Sequence, residues 1–409
     1  MMRIAVGLAL LGILAAGCAA PKAKVTTAGT FGDDLEFLDK HSGALVLSDA
    51  LGQAQVAVSP ALQGRVLTST ADGPLGKSFG WINRSLFAAH QMQAHFNPFG
   101  GEDRFWIGPE GGQFSLYFGK DQPFDLDHWY VPHAIDTELY ALVSRTADSA
   151  VFRKKFTVTN YSGTKFNVEV TRTVRLLAPL ETWKLLDIRP VLGVKMVAYE
   201  SINEITNEGK EPWKKDTGLL SIWILGTFNP SPTTTIVIPF RPGAEVDLGK
   251  PVKDDYFGKV PADRLVVKEN VAYFKADGQC RSKIGAGPRR AKGILGSYDA
   301  ANHVLTLVQY TATKSAADYV NSAWEIQKDP YTGDVINSYN DGPASAGAKP
   351  MGPFYELESS SPALALEPGK SAQHVHRTIH LVGDEALLDP IARAALGVGI
   401  KDILSALPK

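Results

Sequence analysis

The chain has 409 residues, 44% hydrophobic and 21% charged, with Lys+Arg 42 against Asp+Glu 43 and a formal net charge of -1. That length and mix can supply a sizeable core. The balanced charge, with no block of one sign, gives no basic face for nucleic acid and no charged binding tail.

The first residues read "MMRIAVGLALLGILAAGCAAPKAK". Arg3 is a positive n-region, and Ile4 to Ala16 is an apolar or glycine run too short to span a bilayer. Small residues then lead into Cys18. The pattern resembles a bacterial lipoprotein signal, cut before a cysteine that receives the lipid. An ordinary secretory peptide with an incidental Cys18 is the alternative. The expectation is a signal peptide over 1–17, a lipid-anchored tether over 18–30 and one folded domain over 31–409. Ala19, rather than an aspartate, follows the cysteine, which points to the outer membrane facing the periplasm. Cys280 is the other of the two cysteines, so a lipidated chain is expected to hold no intramolecular disulfide and to rely on its core. Cys280 has no histidine near it in sequence and reads as structural.

Beyond the tether, strand signals dominate. "GALVLSD", "AQVAVS", "GRVLTST", "QFSLYFG", "FRKKFTVTN", "LLSIWILG", "TTTIVIP" and "HVLTLVQYT" are short, β-branched or aromatic, and bounded by turn formers. In "KFNVEVTRTVRLL" the residues Phe166, Val168, Val170, Val174 and Leu176 alternate with polar ones, the period of a half-buried strand. Arg172 interrupts the apolar face. It is expected at a strand end or in a buried ion pair, with a ligand-facing arginine as the sharper alternative. Helices are few: a short one in "SAADYVNSAWEIQ" and one or two in "DEALLDPIARAALGVGIKDILSAL", with Asp389 as N-cap before Pro390. Strands without alternating long helices argue against a doubly wound α/β fold. They predict an all-β chain, a large antiparallel β-sandwich with few short helices and long functional loops.

Several stretches carry more chemistry than their structure needs. "NPFGGEDRFWIGPEGGQFSLYFG" sets Asn97, Glu102, Asp103, Arg104, Trp106 and Glu110 around two Gly-Gly pairs. Sugars are held by polar groups on their hydroxyls and by aromatic faces on their C–H side, and this segment offers both. In "YELESSSPALALEPG", Glu356 and Glu358 share a strand face. Neighbouring carboxylates repel, which lifts one pKa into a range useful for acid–base work on a sugar. Two solvated surface glutamates is the bland alternative. "QHVHRTIHL" puts His374, His376 and His380 on one face, for proton transfer, for a metal, or merely as a polar face. "SAWEIQKDPYTGDVINSYNDGP" gathers Trp324, Glu325, Asp334, Asn337, Asn340 and Asp341. It suits a sugar-binding loop; its oxygens could take calcium, although the spacing is not that of an EF-hand, and a turn explains Asn340 and Asp341. "DLDHWYVPHAID" adds His128, Trp129 and His133 as lining. No phosphate loop, dinucleotide fingerprint, zinc-protease helix or nucleophile elbow occurs, so no other cofactor is expected.

Taken together, "ALQGRVLTST", "NPFGGEDRFWIGPEGGQF" and "GPFYELESSSPALALEPGKSAQHVHRTIHL" resemble the galactose mutarotase-like (aldose 1-epimerase) superfamily, and more closely a group of secreted bacterial proteins within it. The resemblance implies a β-supersandwich and a carbohydrate ligand. In that superfamily the general acid is a histidine in an Asn-His-x-Tyr-Phe-Asn-type motif. Here Asn302-His303 lacks the aromatic continuation. The superfamily's base is a late-strand glutamate, matched best by Glu358 and next by Glu356. The resemblance therefore carries the fold further than the mutarotase activity. The expected function is a lipid-anchored, carbohydrate-active protein that binds and transforms a saccharide in an epimerase-, hydrolase- or lyase-like reaction. Glu358 or Glu356 would be the base and His374 or His376 the acid. The alternative is a non-catalytic carbohydrate-binding module or a structural envelope lipoprotein.

The anchor has a direct test. Cys18→Ser is expected to abolish membrane association and leave uncleaved or soluble protein. A variant that fractionates like wild type would overturn the lipoprotein reading.

Overall fold

Period-two alternation governs the architecture, because strands that bury one face must stack that face on another sheet. The computed structural model describes residues 29–313, 317–345 and 347–408. The expected signal peptide, Cys18 and nearly all of the expected tether lie outside the described residues.

A ten-stranded antiparallel sheet runs in the order Leu265–Lys268, Val271–Lys275, Thr234–Pro239, Ile294–Asp299, Val304–Tyr310, Ser371–Val382, Lys195–Asn207, Lys165–Leu176, Ser149–Thr159, Ala141–Arg145. A five-stranded antiparallel sheet runs Ser282–Ala286, Ile336–Asn340, Tyr355–Ser360, Ser221–Phe228, Arg104–Gly108. A third, three-stranded sheet joins Leu45–Ser48, Gln55–Ser59 and Arg65–Thr70. The expected all-β sandwich with few helices is the observed class.

The core lies between the two large sheets. Val170, Val174 and Ile205 from one share a buried cluster with Phe105, Ile107, Ile222 and Ile224 from the other. Further along, Ile236 and Val308 share one with Ile284, Ile336 and Leu357. The outer face of the ten-stranded sheet is closed over Thr234–Pro239, Ile294–Asp299 and Val304–Tyr310 by the C-terminal helices Glu385–Leu396 and Ile400–Leu404, whose Leu388, Ile391, Leu396 and Ile403 cluster with Val237, Leu305 and Leu381. The outer face of the five-stranded sheet has no such helix and is left to loops.

Arg172 lies on the inner face, fully buried. Its guanidinium pairs with Asp103 at 2.5 Å, donates to Asn203 Oδ1 at 2.8 Å and reaches the Gly64 carbonyl at 3.1 Å. This is the buried ion pair, and it joins the two sheets.

Three local expectations are corrected. Residues 317–327 form no helix; the segment is held as a loop by backbone pairing of Tyr319 with Tyr331 and of Asn321 with Pro330. "QFSLYF" is not a strand: the Gln113 side chain bonds Gln327 and the Ser115 hydroxyl bonds back to the Glu110 carbonyl, folding the segment over itself. The strand lies earlier, at Arg104–Gly108. The last long helix has Asp384, not Asp389, at its N-cap position, without a side-chain capping bond, and holds Pro390 inside it; Asp389 instead binds Arg393 and the Ile400 N–H.

Arg172→Met leaves the Asp103 carboxylate buried without its cation, which costs about 3–5 kcal/mol. Urea unfolding should show a loss of that size, and adding Asp103→Leu should recover much of it. Loss below about 1 kcal/mol in the single variant would contradict the assignment of this pair as the joint between the sheets.

Candidate functional site

The uncovered face of the five-stranded sheet forms the floor of a cleft, and strand register sets which side chains stand together. In one row Lys283 opposes Tyr339, Tyr339 opposes Glu356 and Glu356 opposes Thr227. In the next, Asn337, Glu358, Leu225 and Arg104 follow each other across four strands. In a third, Trp223 opposes Trp106.

Two ion pairs cross this floor. Arg104 donates to Glu356 at 2.8 Å, and Thr227 Oγ1 adds a bond to the same oxygen at 3.2 Å. Lys283 donates to Glu358 at 3.2 Å, beside a 2.8 Å bond from the Trp223 indole. Each cation also faces a ring: Arg104 stands 4.6 Å from the Trp106 centroid and Lys283 5.0 Å from that of Trp223.

Loops raise the walls and divide the cleft into two adjoining chambers. The smaller, about 140 Å³, has Trp81, Trp106, Trp129, Trp223 and Trp324 in its lining, with Arg104, Glu110 and Glu356. The larger, about 570 Å³, is lined by Lys253, Tyr256, Glu325, Asp334 and Asn337 among others. Glu110, Arg281, Lys283, Trp223 and Trp324 belong to both. The glycine pair before Arg104 makes the approach possible. Gly100 has φ +83, and a Cβ there would stand 2.1 Å from the Trp81 carbonyl oxygen.

The electrostatics are those of buried carboxylates beside cations. Burial pushes Glu110 up to about 7, with Lys283 opposing and Glu358 adding to the rise. Burial does the same to Glu356, also to about 7, against the pull of Arg104 and with a push from Glu358. Burial works to lower Lys283, yet Glu358, Glu110 and Glu356 hold it above its usual value. Asp334 is raised by burial while accepting a hydrogen bond from the Tyr256 hydroxyl. Buried polar atoms at this floor without a protein partner include Arg104 Nε, Trp106 Nε1, Ser221 Oγ and Glu358 Oε1, while the Trp129 side chain bonds Glu110. Such groups are costly unless water or a ligand meets them.

The structure thus brings Arg104, Trp106, Glu110, Trp129, Trp324, Glu325, Asn337 and Glu356 to one cleft, with Glu358 directly beneath, fully buried. It places the other candidates elsewhere. His374 and His376 are buried between the sheets, on the far side of the Tyr355–Ser360 strand, where both rings bond Ser359 Oγ at 2.8 Å. Burial pushes them down to about 3 and about 4. Their side of the strand faces the five-stranded sheet, so it points into the sandwich instead of a cleft. Glu102 also points inward, to Ser69, Tyr199 and His380. Asn97 is tied to Asp136 at 2.8 Å and His133 lies exposed against Thr137. Asn340 bonds the Gly278 N–H and the Cys280 carbonyl; Asp341 accepts from Tyr339 and the Gly352 N–H. Among the described residues, no three His, Cys, Asp or Glu side chains gather so as to hold a metal ion.

Sequence reasoning missed Trp223, Lys283, Arg281 and Trp81. Trp223 sits in "LLSIWILG", apolar on both faces, so alternation gave no signal. Arg281 and Lys283 alternate with Ser282 and Ile284, and a period-two reading of that stretch would have found them.

Glu110 has a stability consequence. Its folded pKa of about 7 lies above the ordinary 4.5, so its contribution is full below about 4.5 and is lost as pH rises through 7. The loss is on the order of 3 kcal/mol at most. Glu110→Gln should flatten the decline in melting temperature between those pH values and be the more stable protein at the alkaline end. An unchanged profile would contradict the burial of an ionisable Glu110.

Several known chains resemble this one in fold. Among solved structures, it is similar to a candidate aldose 1-epimerase from Escherichia coli K12, at 13% identity and TM-score 0.49, covering 82% of this chain and 98% of that one. It is also similar to a galactose mutarotase-like protein from Lactobacillus casei, at 10% identity and TM-score 0.47, covering 83% and 100%. A galactose mutarotase related enzyme from Lactobacillus acidophilus gives 10% identity and TM-score 0.45, covering 82% and 97%. None of the curated proteins matches the chain. The family match runs over residues 29–407, and the protein belongs to the Family of unknown function (DUF6786).

Proposed function

We propose that the cleft binds a saccharide and that Glu110 and Glu356 serve as an acid–base pair on it. One observation carries this reading: two carboxylates, each raised to about 7, stand in a chamber walled by tryptophans. Groups poised near neutral pH can hold or release a proton as the reaction demands. Tryptophan faces suit the C–H side of a sugar ring, and the unpaired Trp106 and Arg104 donors suit its hydroxyls. The histidines expected as acid are replaced in this reading by Glu110. Glu358 holds Lys283 in place from beneath. An epimerase-, hydrolase- or lyase-like reaction fits such a pair.

A second reading, binding without turnover, is favoured by the hold of Arg104 and Thr227 on one oxygen of Glu356. The lipid anchor at Cys18 and an outer-membrane site facing the periplasm complete the proposal, resting on the N-terminal sequence.

A saccharide panel screened by thermal shift and product analysis tests it. With a ligand in hand, Trp129→Ala should weaken binding by roughly 1–3 kcal/mol. Glu356→Gln should bind about as well as wild type and lose turnover. A panel without any shift would sink the saccharide reading; binding with no product in wild type would leave only the binding module.

A further inference from the structure

Two cations of the cleft feel nearby carboxylates but form no salt bridge with any of them. Arg104 is tied to Glu356 and Lys283 to Glu358. Arg281 and Lys253 join no ion pair among the described residues. Each is held instead by an aromatic face. The Arg281 guanidinium lies 3.8 Å from the Phe257 ring centroid, and the Lys253 ammonium 4.6 Å from that of Tyr256. A ring face steadies a cation without consuming its N–H donors, so the edge of the guanidinium remains open for a forked contact. The acids nearby do not take that role. Asp334 is bonded to Tyr256, Glu110 is raised by burial, and Asp255 and Glu325 are exposed at the rim. The two chambers therefore differ in kind. The smaller offers tryptophan faces, and its arginine at the floor is already paired. The larger offers open cations.

Resting on the saccharide reading above, we infer that the ligand is an acidic saccharide, with a sugar ring among the tryptophans and an anionic substituent held in the larger chamber by Arg281 and Lys253. Arg281 lines both chambers, so the anion belongs to the same ring or to the one next to it. A carboxylate, as in a uronic acid, and a phosphate ester share this chemistry.

Isothermal titration with matched pairs tests the inference and separates the two anions. One pair is trigalacturonic acid against its methyl ester, equal in length but uncharged. The other is a hexose phosphate against the hexose. In at least one pair the charged member should bind about ten-fold tighter or more, with the advantage shrinking as salt is raised. Arg281→Ala and Lys253→Ala should each remove most of that advantage and leave the neutral member's affinity within about two-fold. Arg281→Lys should keep part of it. Arg281 is half-buried and rests on one ring, so these variants should melt close to wild type. Equal affinity within both pairs, or an advantage that survives the double alanine variant, overturns the inference while leaving the saccharide reading intact. Failure of every member to bind, neutral ones included, overturns the saccharide reading and the inference with it.

Discussion

Asp103 and Arg104 are neighbours in the chain and point in opposite directions, and the site depends on that divergence. Asp103 turns into the sandwich to meet Arg172 on the ten-stranded sheet. Arg104 turns outward to meet Glu356 on the cleft floor. An edge strand of a sheet is ordinarily its least constrained member. Here a fully buried ion pair at the residue just before it fixes its register against the opposite layer, and through it the position of the guanidinium that holds Glu356. A buried pair of this kind adds little net stability against an apolar replacement, but breaking it is expensive. Its value lies in the arrangement it enforces.

The cleft follows from what covers each sheet. Helices close part of the outer face of the ten-stranded sheet, and beyond them its strands keep polar residues such as Lys165 and Asn167 in solvent. The outer face of the five-stranded sheet carries only loops, so its alternating positions are free to hold charge. Two acids and two cations across a few strand positions, with Glu110 beside them on a loop, would repel or lose hydration if left separate. The register interleaves them instead, and burial then leaves Glu110 and Glu356 near neutrality while Lys283 stays charged. The indoles play two parts: they exclude water, which strengthens each charge interaction, and they leave ring faces and N–H groups turned to the space between them.

The buried histidines show why residue type alone is a poor guide to a site. His374, His376 and His380 share one face of their strand with Thr378, as a ligand-facing strand would place them. They are instead the interior of a polar seam between the sheets, with Ser359, Thr306 and Glu102 as partners. Burial keeps His374 and His376 neutral, so they hold the seam together through hydrogen bonds without carrying charge.

The sequence by itself determined the strands, the sandwich class, the pairing of Glu356 with Glu358 on one face and the unusual density of Asn97–Gly119. These follow from side-chain period and local composition, which act over a few residues. Only the tertiary structure decided which polar face met a cleft and which met the core. Alternation defines two faces of a strand but not what lies against either, since that depends on strands and loops far away in the chain. So Arg104, Trp106 and Glu110 reached the cleft while Glu102 and Asn97, equally promising in sequence, turned into the fold. For the same reason Lys283, Arg281 and Trp223, inconspicuous in their own segments, became part of the site when sheet register set them beside Glu358.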